Sequence, residues 1–201
     1  MFDAQIRPLL DWLLNPVGVG LAAHGVKANH VTIIGVLTGL AAAVCVAFQL
    51  FDIAFWLILL SRLADGLDGA VARASMATDF GGYLDIVCDF VFYSSIPLAF
   101  AVAQPENALA SAFLIFSFIG TASSFLAFAI FAEKRNISTE IRGKKAFYYL
   151  GGLTEGAETI LLLLAMVTWP SYFIFMAFGF GLLCWVTTIT RIYAAYRQFS
   201  N

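Results

Sequence analysis

The sequence predicts an all-α integral membrane protein, with six transmembrane helices behind an N-terminal amphipathic interfacial helix. Three observations carry that expectation. Of 201 residues, 61% are hydrophobic and 12% charged, where a soluble domain carries roughly a quarter charged residues. The mean hydropathy is +0.88, and long Leu/Ala/Val/Phe runs approach the about 20 apolar residues that cross a bilayer. The 11 Lys and Arg residues fall on one side of a six-span reading, as the positive-inside rule requires.

Residues 1–28 lead. Phe2, Ile6, Leu9, Leu13 and Val17 recur at helical spacing, while Asp3, Arg7 and Asp11 lie between them. No long uncharged stretch of a secretory signal is present, so the segment is expected to lie in the interface. Pro8 and Pro16 blur its ends. The spans then read Val31 to Gln49, Phe51 to Arg73, Gly82 to Ala103, Ala108 to Ala132, Glu155 to Trp169 and Ser171 to Thr190. Short connections at Asp52, at 104–107 and at Pro170 join them, and the longest polar stretch is 133–145. The chain is expected to be one membrane-embedded domain over 1–201, its six-helix bundle covering 31–190.

With the first residues inside, Arg7, Lys27, Arg62, Arg73, Lys134, Arg135, Arg142, Lys144, Lys145, Arg191 and Arg197 all lie on the inner side, and the outer turns carry only Asp52 and Glu106. Both termini are therefore expected in the cytoplasm of a bacterial cell, at its inner membrane. The net charge of −2 gives no reason to expect nucleic acid. Cys45, Cys88 and Cys184 stand far apart in apolar runs and fit neither a disulfide framework nor a zinc spacing.

One segment breaks the apolar pattern. Asp65, Asp68, Asp85 and Asp89 lie between long apolar runs, with Arg62 and Arg73 close by. Asp65 and Asp68 are i, i+3 and Asp85 and Asp89 are i, i+4, so each pair shares one helix face. The short connection between their helices makes these antiparallel neighbours, and both pairs converge near the cytoplasmic end. Arg62 could pair with Asp65, and Arg73 with another acid. Four carboxylates still outnumber two guanidiniums, and a poorly solvated carboxylate protonates or binds a cation. An oxygen-only set prefers Mg²⁺ or Mn²⁺. Gly66, Gly69, Ala70 and Ala72 leave a surface bare of side chains beside the acids. That surface suits close helix packing, or a ligand whose phosphates meet a metal and an Arg fork.

The segment resembles the signature of the CDP-alcohol phosphatidyltransferases: Asp65-x2-Asp68-Gly69-x2-Ala72-Arg73, then Gly81-x3-Asp85-x3-Asp89. Seven residues separate Arg73 from Gly81, where the family's usual gap is eight. "KANHVT" at 27–32 resembles the family's Pro-Asn-x-x-Thr lead into the first span, with Ala28 in place of the Pro. The resemblance implies a homodimeric transferase of phospholipid biosynthesis, active on the cytoplasmic face, that moves a substituted phosphate from a CDP-linked donor to an alcohol and releases CMP. It implies two divalent ions on Asp65, Asp68 and Asp85, with Asp89 shared between metal and base. It also places Asn29, Thr32, Asp65, Gly69, Arg73 and Thr78 against the CDP moiety.

General chemistry agrees. Two metals across a pyrophosphate stabilise the entering and leaving oxygens, and the acceptor hydroxyl needs a proton acceptor. Asp89, the acid nearest the middle of its span, is the expected catalytic base. CDP-diacylglycerol is the expected donor, because a lipid can slide in between helices. Arg135, Arg142, Lys144, Lys145 and Arg191 could bind an acceptor phosphate, that of glycerol 3-phosphate or of inositol phosphate. They also suit topology and anionic lipid headgroups. Glu155 and Glu158 could instead read serine or an amino alcohol. A divalent-cation transporter is the rival class, but transport sites sit near the midplane, and such a pathway gains nothing from Arg73.

Overall fold

The computed structural model describes residues 3–135 and 152–200, and among these every regular element is helical. Among the described residues seven α-helices occur in order: α1 (Asp3–Ala23), α2 (Ala28–Ala47), α3 (Phe51–Ala74), α4 (Asp79–Ala103), α5 (Ala108–Lys134), α6 (Gly156–Thr168) and α7 (Phe173–Phe199). Single 3-10 turns at Pro105–Asn107 and Pro170–Tyr172 lead into α5 and α7. The last six helices coincide with the six expected segments. Four of them, α2, α4, α5 and α7, are long and apolar enough to cross a membrane. The protein is thus an integral membrane protein. Charged residues interrupt α3, and α6 has only 13 residues.

Helix ends follow local chemistry. Thr78 caps α4, its hydroxyl accepting the Gly81 N–H at 3.0 Å, the role of a side-chain oxygen at an N-cap. At α6, Glu155 and Glu158 form a reciprocal capping box. The two residues before that box are not helical, and their N–H groups turn to α7: Leu153 and Thr154 donate to Thr187 Oγ1 at 3.1 and 3.3 Å. Pro16 lies within α1 and Pro97 within α4, and both helices continue through them. α7 runs nine residues past the expected end at Thr190.

α2 packs along α3 and α4, α4 meets α5, α5 pairs with α7, and α6 leans on α3. Glycine sets the first of these distances. A Cβ on Gly39 of α2 would lie 2.5 Å from the Phe92 ring and 2.9 Å from Ser61 Oγ. One turn away Ser61 donates to the Gly35 carbonyl at 2.8 Å. Small residues thus let backbones approach where lipid offers no hydrophobic driving force.

The apolar core begins at Phe92, one turn from Asp89, and runs away from the acids along α4. Phe92, Ile96 and Phe100 of α4 meet Ile58, Leu114, Leu163, Met166 and Phe173, all fully buried. Phe100 stacks on Phe173 with centroids 4.2 Å apart, and Phe51 extends the stack. α3 and α4 each pack along α2 and not, as the short connection suggested, along one another, so α2 sets their spacing and long side chains such as Arg62 bridge them.

Candidate active site

The acids converge as helical spacing requires. Asp65 and Asp68 project from the last turns of α3, and Asp85 from the second turn of α4. One carboxylate oxygen from each of the three lies within 4.8 Å of the others. Asp68 is buried at 5% exposure, and Thr32 of α2 donates its hydroxyl to Asp68 Oδ2 at 2.5 Å. An all-oxygen trio with no His or Cys among its members fits a hard divalent ion, and no Lys or Arg forms an ion pair with Asp68 or Asp85 among the described residues.

Asp89 lies one turn beyond Asp85 and takes a different partner. Arg62 Nη1 donates to Asp89 Oδ1 at 2.6 Å, while Asp65 Oδ1 is 3.5 Å from the same nitrogen. Arg62 Nη2 reaches Ser61 Oγ at 3.1 Å, and its guanidinium lies 4.1 Å above the Phe92 ring centroid. A nearly buried cation, held by a carboxylate below and a π face above, balances the inner side of the cluster. Arg62 thus pairs with Asp65, as expected, and more closely with Asp89 of the next helix.

The remaining expected donor-binding residues fall into two groups. Asn29 and Thr78 meet at the start of α4, where both side-chain oxygens lie 3.1 Å from the position a Cβ of Gly81 would take. Gly69 and Arg73 lie on α3. Arg73 pairs with none of the cluster acids: its Nη2 donates to Asp11 Oδ1 at 2.7 Å and Asn15 Oδ1 at 3.0 Å, both on α1. The small-residue surface divides accordingly. Gly66 and Ala70 pack against α1, where Leu14 and Gly18 touch them, whereas a Cβ on Gly69 would meet only Arg73 Nη1, at 3.3 Å. Close helix packing accounts for Gly66 and Ala70, and Gly69 keeps an open face.

Of the residues expected to bind an acceptor phosphate, only Arg135 and Arg191 are among the described residues. Arg142, Lys144 and Lys145 lie outside the described residues. Arg135 donates to the carbonyls of Gln198 and Phe199, closing the end of α7. Arg191 is 8% exposed, donates to the Thr121 carbonyl at 3.1 Å, and borders a cavity of about 390 Å³ between α5 and α7. Sequence reasoning missed Asp11 and Asn15 as partners of Arg73. Their only signal was a helical register shared with Gly18.

Known proteins resemble the chain, two of those that follow along nearly its whole length. The sequence model of the CDP-alcohol phosphatidyltransferase family matches residues 26–193. An inner membrane protein of Escherichia coli, YnjF, is 46% identical over 98% of this chain and 96% of its own. The archaetidylinositol phosphate synthase of Pyrococcus horikoshii is 35% identical over 49% of this chain and 53% of its own. Among solved structures, the phosphatidylinositol phosphate synthase of Mycobacterium tuberculosis with CDP-DAG bound superposes with a TM-score of 0.66. It is 20% identical and covers 91% of this chain and 93% of that one. The helices, the converging acids and the matched segment agree: the chain belongs to the CDP-alcohol phosphatidyltransferase family.

Proposed function

We propose that the protein transfers a phosphatidyl group from CDP-diacylglycerol to the hydroxyl of a small polar alcohol and releases CMP. The observation that carries this reading is the oxygen trio of Asp65, Asp68 and Asp85, set beside Gly69 and Arg73 in the family's order. Glycerol 3-phosphate is the first acceptor to test. Inositol phosphate is the second, because two of the related proteins are named for inositol phosphate products. Buried Arg191 beside its cavity suits a phosphate-bearing acceptor of either kind.

Asp65, Asp68 and Asp85 would hold Mg²⁺ or Mn²⁺, with Asp89 at the edge of the set. Two such ions supply charge neutralisation for the pyrophosphate and for both the entering and the leaving oxygen. Thr32 holds Asp68 in orientation. Asn29, Thr78 and Gly69 line the nucleotide, and Arg73 offers its guanidinium to a donor phosphate. The acceptor oxygen forms a bond to the phosphorus that carries the diacylglyceryl group. The bond from that phosphorus to the bridging oxygen breaks, and CMP leaves with the electron pair. Asp89 takes the hydroxyl proton on Oδ2, because Oδ1 is held by Arg62.

We place all six helices α2–α7 across the bilayer, as one domain with α1 in the interface. The active site faces the cytoplasm and the protein is a homodimer. The basic residues at the site end support the orientation, and the inner membrane relative supports the compartment. Purified protein given CDP-diacylglycerol and a panel of alcohols should release CMP with one of them. EDTA should abolish release and Mg²⁺ or Mn²⁺ restore it. Release that survives exhaustive chelation would remove the metal from the mechanism.

A further inference from the structure

From Asp11 onward the first helix turns one mixed polar and apolar stripe toward the bundle. Asp11, Leu14, Asn15 and Gly18 recur at i, i+3, i+4 and i+7, so they form one stripe. That stripe lies against Gly66, Ala70 and Arg73 of α3, which recur at i, i+4 and i+7. Contact is close: a Cβ on Gly18 would sit 2.7 Å from the Ala70 carbonyl carbon, and Leu14 occupies the notch at Gly66. Trp12, Leu13, Val17 and Val19 face away, all more than half exposed. The seam ends at Arg73, whose Nη2 donates to both Asp11 and Asn15. Nη1 of the same guanidinium lies over Gly69.

Stability does not explain this pair. Asp11 and Arg73 are 37% and 44% exposed, and exposed ion pairs stabilise a protein little. Position does. A free Arg side chain samples many rotamers and loses that freedom on binding. Here two acceptors on a helix fixed by backbone contact hold one nitrogen and leave the other beside the open face of Gly69.

We propose that Asp11 and Asn15 are positioning residues of the donor site, and that α1 forms one of its walls by presenting Arg73 Nη1 to a donor phosphate. The inference rests on the reading of Arg73 as a donor ligand. Kinetics and equilibrium binding of CDP-dioleoylglycerol to the full-length protein in nanodiscs test both. Asp11→Ala should raise the KM and Kd for the CDP-lipid about fivefold, the scale of one exposed charge pair. The kcat should stay within twofold. The double exchange Asp11→Asn with Asn15→Asp returns a carboxylate to the same Nη2 and should restore both constants, which a general packing defect would not allow. On an Arg73→Ala background, Asp11→Ala should add nothing. Gly18→Leu, which displaces α1, should reproduce the loss. If Arg73→Ala leaves donor binding unchanged, the reading of Arg73 itself falls. If Arg73→Ala weakens donor binding but Asp11→Ala leaves it unchanged or tightens it, the positioning role falls alone.

Discussion

Thr32→Val separates a residue that touches the donor from one that aims a metal ligand. Thr32 Oγ1 donates to Asp68 Oδ2 at 2.5 Å, and the two residues are 7% and 5% exposed. Valine replaces the hydroxyl with a methyl of nearly the same shape, so packing is kept and one hydrogen bond is lost. A hydrogen bond to a charged group contributes about 1.5–3 kcal/mol, or roughly 10- to 150-fold in an equilibrium constant. Loss of a partner that orients a metal-binding side chain typically costs about 10- to 100-fold in metal affinity. The two ranges overlap, and we expect Mn²⁺ binding to weaken at least tenfold. Free Mn²⁺ is titrated by electron paramagnetic resonance against purified protein without nucleotide, so that donor contacts do not contribute. Thr32→Ser keeps the hydroxyl and should bind as the parent does. Mn²⁺ affinity unchanged or increased in Thr32→Val would refute the reasoning and return Thr32 to the donor alone.

Asp89→Asn keeps size and one oxygen ligand but cannot accept a proton, so turnover should fall roughly 10²-fold or more while CDP-lipid binding stays. Recovery of the rate by excess Mn²⁺ alone would show Asp89 to be a ligand and not a base. Gly39→Ala forces a methyl against the Phe92 ring and Ser61 and should destabilise the bundle by about 1–3 kcal/mol, read by thermal unfolding in detergent. Gly82→Ala has nothing within 4 Å of the new Cβ. It should be neutral or stabilising by up to about 1 kcal/mol, and an equal loss at both positions would discount the packing argument.

The helices were legible because their apolar runs are long, and the acids because their spacing puts each pair on one helix face; that α2, not direct packing of α3 on α4, brings the two faces together was not legible. What the sequence hid was polar structure at helix ends. α4 begins three residues before the expected Gly82, because Thr78 caps it and Asp79 sits in its first turn. α7 extends past Thr190 because "RIYAAYRQF" continues the helix with polar residues that an apolar count stops at. Pro8 and Pro16 left the ends of the first segment open, and α1 runs through both. Partner choice was least visible. Arg73 and Asp11 are 62 residues apart, and nothing local to either marks the other. Gly66 and Gly69 looked alike in sequence, yet one packs against Leu14 and the other stays open.

The short α6 has a consequence for the lipid around it. At about 1.5 Å per residue, 13 residues give a rod near 20 Å, about 10 Å less than the hydrocarbon thickness. Trp169 and Tyr172, both more than half exposed, mark its far end in the manner of an interfacial aromatic belt. The deficit therefore falls at the near end, where Leu153 and Thr154 depend on Thr187 Oγ1 for their amide partners. Set across a bilayer, as we propose, a rod of this length is a hydrophobic mismatch, which a bilayer can answer by thinning. Such thinning would bring water and the proposed alcohol substrate toward the part of α7 that carries Thr187 and Arg191.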